Sequence, residues 1–420
     1  MKRTAPFLLC VLVSLLGLQQ QLKGQNIDFA RQLVDTLSAP GMHGRGYSFE
    51  GDKVAAAFIQ QEFKKAGLRS FRDSTYYQDF SMPVNVFPGA MHVALDDRSL
   101  VPGVDYLCDP ESGGNKGTFP IVPMKSSKKG RTNLSGKFLS IDLRGIKDKQ
   151  ELAMLQSLRN NPFQASGILF ITDKKLNFGA SSQARGYVIL TISGKAFQEI
   201  PQEITVDIDR TYQENYQSQN VIGYIPGTHR SDSFIVFSAH YDHLGHMGKA
   251  TYFPGANDNA SGTAMLIDLA NHYAKKPPRY SIAFMAFSGE EAGLIGSEYY
   301  TREPYFNLTQ IKFLINIDLM GNGEHGITLV NGKKHPETFQ QVVALNEKHG
   351  YLKEVKARGT AANSDHYYFS EKGVPAFFIY SRGAHKAYHD VEDTASNLPF
   401  SAYSNLFQLI VRFADGLVVP

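Results

Sequence analysis

The sequence has 420 residues, of which 42% are hydrophobic and 20% are charged. This length and composition allow two domains and a sizeable core, which excludes a disordered or fibrous protein. The formal net charge of +3 disappears when Lys2, Arg3 and Lys23 are set aside. Balanced charge offers no general attraction to nucleic acid or to an anionic membrane surface, so neither is expected as a partner.

Residues 1–24 are predicted to form a signal peptide. Lys2 and Arg3 make a short basic start, residues 5–18 are an almost unbroken apolar run, and a polar stretch follows. The alternative is an uncleaved membrane anchor, but a run of about 14 residues is shorter than the roughly 20 that span a bilayer. We therefore expect cleavage near Gly24 and a secreted or periplasmic protein with no membrane contact.

The pattern changes twice along the remaining chain. Residues 25–86 are predicted to be the N-terminal helical part of the larger domain, because apolar residues recur at helical spacing from Phe29 to Leu37. Residues 87–212 carry short apolar runs between turn residues, which predicts a smaller, mostly β inserted domain. Residues 213–420 complete the larger domain.

Strand and helix patterns alternate in this last part. The predicted strands are 234–238, 281–287, 313–317, 327–330 and 376–380, and the predicted helices are 263–274, 336–349 and 400–417. Near-continuous apolar strands that alternate with helices indicate a sheet that is covered on both faces. The expected fold is therefore a three-layer α/β/α domain with a mainly parallel, mixed central sheet, plus the smaller β insert.

Side chains that can bind metal follow several of these strands. They are His240 and Asp242, Glu290 and Glu291, Asp318, and His389, with Asp258 ahead of a helix. Alone, each is more often a satisfied structural residue or a helix cap. Together they fall at one edge of one sheet, where so many buried carboxylates need cations. Mixed imidazole and carboxylate ligands suit zinc best, with cobalt or manganese as alternatives.

Five short motifs carry a family resemblance. They are AHYD at 239–242, NDNASG at 257–262, GEE at 289–291, NID at 316–318 and YH at 388–389. In this order they resemble the zinc-dependent exopeptidases of clan MH, which include bacterial secreted leucyl aminopeptidases, carboxypeptidase Q and glutamate carboxypeptidase. The resemblance covers roughly residues 220–417. The insert resembles the protease-associated domain that many relatives carry.

The resemblance implies a role for each motif residue. Two zinc ions are expected, with His240 and Asp318 on one, Glu291 and His389 on the other, and Asp258 bridging both. Glu290 is expected to be the general base that activates a water shared by the two ions. The peptide bond between Asp258 and Asn259 is expected to be cis.

Further residues are candidates for supporting roles. Asp242 and Asp393 are predicted to accept the second ring N–H of His240 and His389, with loop capping as the alternative for each. His366 and Tyr388 are candidates for substrate binding, and a structural role is the alternative for His366. His243 and His246 lie close to His240 and suggest a third metal site, but the resemblance favours His240 alone.

The expected function is that of an exported two-zinc aminopeptidase that removes N-terminal residues from peptides. A carboxypeptidase or dipeptidase of the same family is the alternative, since Arg382, Lys386 or Arg45 could bind a substrate carboxylate. A glutaminyl cyclase with one zinc is a further alternative that the complete ligand set disfavours. A non-enzymatic binding protein is disfavoured by the presence of all five ligands and the base.

Overall fold

The computed structural model describes residues 26–72, 75–124, 133–197 and 201–417. The predicted signal peptide lies outside these residues. Within the part of the chain that the structure describes, no helix is both long enough and apolar enough to cross a membrane.

Helices and strands alternate through most of the chain. The helices are α1 (Ile27–Leu37), α2 (Gly51–Ala66), α3 (Lys149–Ser157), α4 (Gly262–Lys275), α5 (Ile295–Arg302), α6 (Pro336–His349), α7 (His366–Glu371) and α8 (Tyr403–Gly416). The strands are β1 (Tyr77–Val86), β2 (Met91–Leu95), β3 (Arg98–Ser99), β4 (Tyr106–Cys108), β5 (Asn115–Pro123), β6 (Phe138–Asp142), β7 (Gly167–Thr172), β8 (Val188–Ser193), β9 (Glu203–Ile208), β10 (Thr211–Ile225), β11 (Arg230–His240), β12 (His246–Met247), β13 (Thr251–Tyr252), β14 (Tyr280–Phe287), β15 (Ile311–Asp318), β16 (Ile327–Val330), β17 (Val355–Ala357) and β18 (Ala376–Ser381).

The larger domain is built on a mixed sheet with the strand order β1-β10-β14-β11-β15-β18-β16-β17. Its four central strands, β14, β11, β15 and β18, run parallel. On one side, β10 pairs antiparallel with β14 and β1 pairs antiparallel with β10; on the other, β16 pairs antiparallel with β18 and parallel with β17. Because the central strands are parallel, their carboxyl ends lie at the same edge of the sheet. The mixed, three-layer α/β architecture confirms the fold class predicted from the sequence.

Both faces of this sheet are buried under helices. Ile235 and Phe237 of β11 pack on the side that holds α1, α2, α4 and α8, whereas Phe234 and Val236 pack on the side of α5 and α7. This alternation is the period of two that a strand imposes on its side chains. It explains why the strand reads as a continuous apolar run in the sequence.

The predicted helical segment 25–86 is only partly helical. Its last ten residues form β1, the edge strand that pairs with β10. The side chains of β1 alternate between buried and exposed positions over most of its length, which is the pattern of a strand that is covered on one face. The helical prediction therefore needs correction at this end.

A second sheet lies between β1 and β10 in the sequence. Its strand order is β3-β2-β9-β5-β6-β7-β8-β4, and all of its strands fall within residues 91–208. Val86 at the end of β1 pairs with Thr211 at the start of β10, so the chain leaves the first sheet and returns to it at adjacent positions.

Candidate metal centre

The predicted metal-binding residues come together at the carboxyl edge of the first sheet. His240 is the last residue of β11, and Asp318 is the last residue of the adjacent β15. Glu291 follows β14, Asp258 precedes α4, and His389 lies in the loop after β18. Five residues that are scattered along the sequence are thereby brought to one place.

Their donor atoms form two groups that share Asp258. His240 Nε2 lies 3.4 Å from Asp258 Oδ1 and 3.4 Å from Asp318 Oδ2. On the other side, His389 Nε2 lies 3.0 Å from Asp258 Oδ2 and 3.4 Å from Glu291 Oε2. One carboxylate oxygen of Asp258 thus faces each group, which is the arrangement of a bridging ligand.

The donor set fits zinc. Two ligand atoms at about 2.0–2.1 Å from a tetrahedral zinc are separated by roughly 3.3 Å, close to the distances within each group. Asp318 Oδ1 is buried and has no hydrogen-bond partner among the described residues, so this carboxylate is not satisfied by protein contacts alone. His240, Asp258 and Glu291 also converge closely enough for a single ion.

The segment before α4 is shaped to present Asp258. Gly255 has a φ of 58°, and a Cβ there would lie 2.2 Å from the carbonyl oxygen of Asp258 and 2.3 Å from Cδ2 of His243. No side chain fits at this close approach, so glycine is required. The Asp258–Asn259 peptide bond is cis, as expected from the family resemblance.

Arg45 stabilises the segment before α4 by hydrogen bonds to its backbone. The side chain is fully buried. Its guanidinium donates to the backbone carbonyls of Leu37, Tyr241, Pro254, Gly255 and Asp258. The hypothesis that Arg45 binds a substrate carboxylate is therefore wrong, because its donors are already used inside the protein.

Asp242 holds the two glutamates. Its carboxylate accepts hydrogen bonds from the backbone N–H groups of Glu290, at 3.3 Å, and Glu291, at 3.2 Å. Tyr47 Oη donates to the same carboxylate at 2.5 Å. The ring Nδ1 of His240 lies 3.2 Å from the backbone carbonyl of Asp242 and 3.7 Å from its carboxylate. Asp242 thus fixes both His240, through its backbone, and the Glu290–Glu291 turn.

Asp393 has a different partner from the one predicted. Its carboxylate accepts from the backbone N–H groups of Asn257 and Asp258, at 3.0 Å each, and lies 3.2 Å from His385 Nε2. The ring Nδ1 of His389 instead lies 3.0 Å from the backbone carbonyl of Phe178. The prediction is corrected because Asp393 already serves the turn that carries Asp258.

His243 plays a part that sequence reasoning missed. Its Nδ1 lies 2.8 Å from Glu291 Oε1, and the side chain is fully buried. The ring therefore orients a metal-binding carboxylate rather than opening a third metal site. Its position three residues after His240 was the available signal, but the contact with Glu291 became apparent only in the structure.

Glu290 and Glu291 have opposite electrostatic environments. Burial raises the pKa of Glu290 well above its usual range, and the adjacent Glu291 carboxylate adds to this. Burial also acts on Glu291, but the His389 and His243 rings outweigh it and hold the pKa of Glu291 at about 2. Protein groups alone thus favour one proton-binding and one ionised carboxylate, the division expected of a base and a ligand.

The predicted substrate-binding residues are dispersed. Tyr388 is 44% exposed and its ring stacks on His389 with a centroid distance of 4.0 Å, which suits a pocket wall. His366 is 1% exposed and packs against Phe378, so its predicted contact with substrate is corrected to a place in the interior. Arg382 Nη2 lies 2.8 Å from Glu354 Oε2, so its guanidinium is already paired.

A parallel sheet with this donor set at its carboxyl edge is the arrangement that the resemblance to the zinc-dependent exopeptidases of clan MH implies. Residues 220–414 match the sequence model of peptidase family M28.

Known relatives agree with this assignment. An aminopeptidase of Bacillus subtilis is 29% identical over 198 residues, which are 44% of this chain and 41% of the relative. A probable zinc metalloprotease of Pyricularia oryzae is 34% identical over 300 residues, 69% of this chain and 55% of the relative. The chain thus spans about half the length of the curated relatives it matches. The crystal structure of a zinc aminopeptidase from Bacillus subtilis has the same fold, with a TM-score of 0.69, 21% identity, and coverage of 92% of this chain and 95% of that one.

Proposed function

We propose that the protein is an exported two-zinc aminopeptidase that removes N-terminal residues from peptides. The observation that carries this proposal is the pair of donor groups that share Asp258, with Glu290 beside them and in neither group. The names of the relatives, which include aminopeptidases and zinc metalloproteases, support the same activity.

Each residue of the site has a task in peptide hydrolysis. His240, Asp318 and Asp258 would hold one zinc, and His389, Glu291 and Asp258 the other. Bound zinc supplies Lewis acidity and lowers the pKa of a water molecule. Glu290, held by Asp242 through its backbone N–H, would accept a proton from the attacking water and pass it to the leaving amine.

Two of the three cations that were considered for a carboxypeptidase are engaged elsewhere, whereas the third, Lys386, is exposed. Arg45 is buried among backbone carbonyls, and Arg382 is paired with Glu354. A substrate carboxylate needs a free guanidinium or ammonium, so these contacts favour action at the amino end.

The proposal that the protein is exported rests on its N-terminal sequence and not on the metal centre. Lys2 and Arg3 followed by an apolar run form the layout of a secretory leader. N-terminal sequencing of protein recovered from culture medium or periplasm tests this part, and an N-terminus near Gln25 is expected. An N-terminus that still contains the apolar run would contradict it.

The activity is tested by digestion of a peptide library and mass spectrometry. Zinc-loaded protein should release single residues from the amino end and should spare peptides with a blocked α-amine. Trimming from the carboxyl end would instead identify a carboxypeptidase. Cyclisation of N-terminal glutamine without hydrolysis would identify a cyclase.

Replacement of Glu290 tests whether Glu290 is the general base and Glu291 the metal ligand. Glu290→Gln should lower kcat by about 10²- to 10⁴-fold, the usual contribution of a general base, and leave two zinc ions per chain. Metal analysis and kinetics measure both quantities, and Glu303→Gln, at an exposed position after α5, is the matched control. Loss of zinc from Glu290→Gln would mean that Glu290 is a ligand.

A further inference from the structure

The loop that holds His389 in place belongs to the other sheet. Residues 173–187 connect β7 to β8 in the insert, and Phe178 in this loop forms two hydrogen bonds with His389. The backbone N–H of Phe178 donates to the His389 carbonyl at 2.8 Å. In return, the ring Nδ1 of His389 lies 3.0 Å from the Phe178 carbonyl. The ring nitrogen that does not face Asp258 and Glu291 is therefore bound by the insert.

Lys175 secures the same loop by its charge. Its ammonium donates to the backbone carbonyls of Lys386, at 2.8 Å, and Tyr388, at 2.9 Å, and forms an ion pair with Asp390. These three acceptors surround His389 in the sequence. One side chain of the insert thus fixes the backbone on both sides of a predicted zinc ligand.

Phe178 also contacts the segment that carries Asp258. Its ring stacks on Phe253 with a centroid distance of 4.5 Å and an interplanar angle of 15°. Phe253 lies in the segment that leads through Gly255 to Asp258. The 173–187 loop therefore bridges the segment of the bridging aspartate and the segment of His389.

His389 needs such support. Its φ is 54°, in the left-handed region that residues other than glycine seldom adopt and that surrounding contacts must maintain. A histidine that donates its second N–H to a carbonyl has a fixed tautomer and a fixed ring orientation, and the loss of such a partner typically weakens metal binding by about 10- to 100-fold.

We infer that the insert is a working part of the metal centre: Lys175 and Phe178 position His389 for the zinc that it shares with Glu291 and Asp258. Both are positioning residues, because they act through His389 and its loop. This inference rests on the proposed two-zinc site. It assigns the insert a role chiefly in the retention of the zinc ion that His389 would hold.

Zinc titration of the metal-free protein against a competing chelator tests the inference. Lys175→Met should weaken the binding of one zinc by about 10-fold or more and leave the other unchanged. Phe178→Ala removes the ring that anchors the loop on Phe253 and should weaken the same zinc more than the other. Lys175→Arg keeps a cation with several donors and should restore tight binding. Lys174→Met is the matched control, because the neighbouring lysine makes no side-chain contact with the 386–390 segment in the described residues.

A double substitution identifies which ion is affected. His389→Ala should lose the same zinc, so adding Lys175→Met to it should not weaken the zinc that remains. Chemical unfolding of the metal-free proteins shows whether each variant is folded. Lys175 is half exposed, with a side chain that is 42% accessible, so Lys175→Met should unfold like the wild type.

The two proposals fail in different ways. Wild-type protein that binds two zinc ions, together with Lys175→Met and Phe178→Ala variants that bind both as tightly, would overturn the inference and leave the proposed function intact. Equal weakening of both ions, or further weakening in the His389→Ala background, would also overturn it. Wild-type protein that binds no zinc would overturn both.

Discussion

At the residue scale, Asp242 joins the turn that carries Glu290, the proposed base, to the rest of the protein. It receives two backbone N–H groups from the Glu290–Glu291 turn and a hydroxyl from Tyr47. A carboxylate that is buried this completely depends on its donors. Tyr47 is therefore expected to influence the geometry of Glu290, although it belongs to the N-terminal part of the chain.

Tyr47→Phe removes one donor without creating a large cavity. We expect the free energy of unfolding to fall by about 1.5–3 kcal/mol, the contribution of a hydrogen bond to a charged group. We also expect kcat to fall while KM and zinc content change little, because the Glu290 turn is less firmly held. Urea unfolding, steady-state kinetics and metal analysis measure these effects.

Tyr305→Phe is the control for this substitution. It removes a hydroxyl that donates to the carbonyl of Tyr77, away from the metal centre. It should leave kcat unchanged. If Tyr47→Phe also left kcat unchanged, the proposed link from Tyr47 to Glu290 would be wrong.

The sequence predicted the ligand candidates better than it predicted their partners. His240, Asp258, Glu291, Asp318 and His389 are recognisable because each lies in a short motif at a strand end or turn, and the structure brings all five together. The partner of His389 was assigned to Asp393, which is near in sequence. It is Phe178, from a distant segment, and sequence spacing contains no information about such a contact.

At the element scale, α4 carries a buried acid on its packed face. Asp268 is 2% exposed, and its Oδ2 has no hydrogen-bond partner among the described residues. Burial raises the pKa of Asp268 to about 7. The folded protein therefore resists ionisation of this group, whereas the unfolded chain ionises it near its ordinary value of about 4.

The sign of the pH dependence follows from this raised pKa. The contribution of Asp268 to stability is complete below about pH 4 and is lost as the pH rises to about 7, by up to roughly 1.4 kcal/mol per pH unit. Asp268→Asn cannot ionise, so it should be more stable than the wild type at pH 8 and gain much less at pH 4.5. Urea unfolding at both values, with chelator present so that zinc does not contribute, measures the difference. An equal difference at the two values would contradict the prediction.

Central strands were easier to predict than outer ones. The predicted strand 234–238 lies inside β11, in which residues 234–237 form a buried, unbroken apolar run. By contrast, β10 begins with exposed polar residues and was not predicted, and β1 was assigned to a helical segment. A strand that is covered on one face, or only over half its length, has a mixed composition. Its conformation therefore depends more on the neighbouring strands than on its own residues.

At the scale of the whole molecule, the two sheets are joined by a common apolar core. Leu244, Met247 and Phe253, from the larger domain, are buried in the same cluster as the strands of the insert. Such a shared core differs from a module on a flexible linker. The insert is therefore expected to be necessary for the stability of the metal-binding half as well as for its own.

Deletion of the insert tests this expectation. Because Val86 pairs with Thr211, residues 88–209 can be replaced by a two-residue Asn-Gly turn that closes β1 and β10 into a hairpin. The variant should be less stable, since each exposed core side chain costs about 1.5–3 kcal/mol, and it should retain at most one zinc. Calorimetry and metal analysis decide, and a deletion variant that unfolds like the wild type and binds two zinc ions would contradict the prediction.

The spread of the metal-binding residues along the chain also has a consequence during protein synthesis. A nascent chain that has passed His240 still lacks His389, which follows much later in the sequence. Neither a prematurely terminated product nor an N-terminal fragment that ends before residue 389 can assemble the full centre. On the proposed two-zinc centre, the ion that depends on His389 could therefore be held in full only after synthesis has passed this residue.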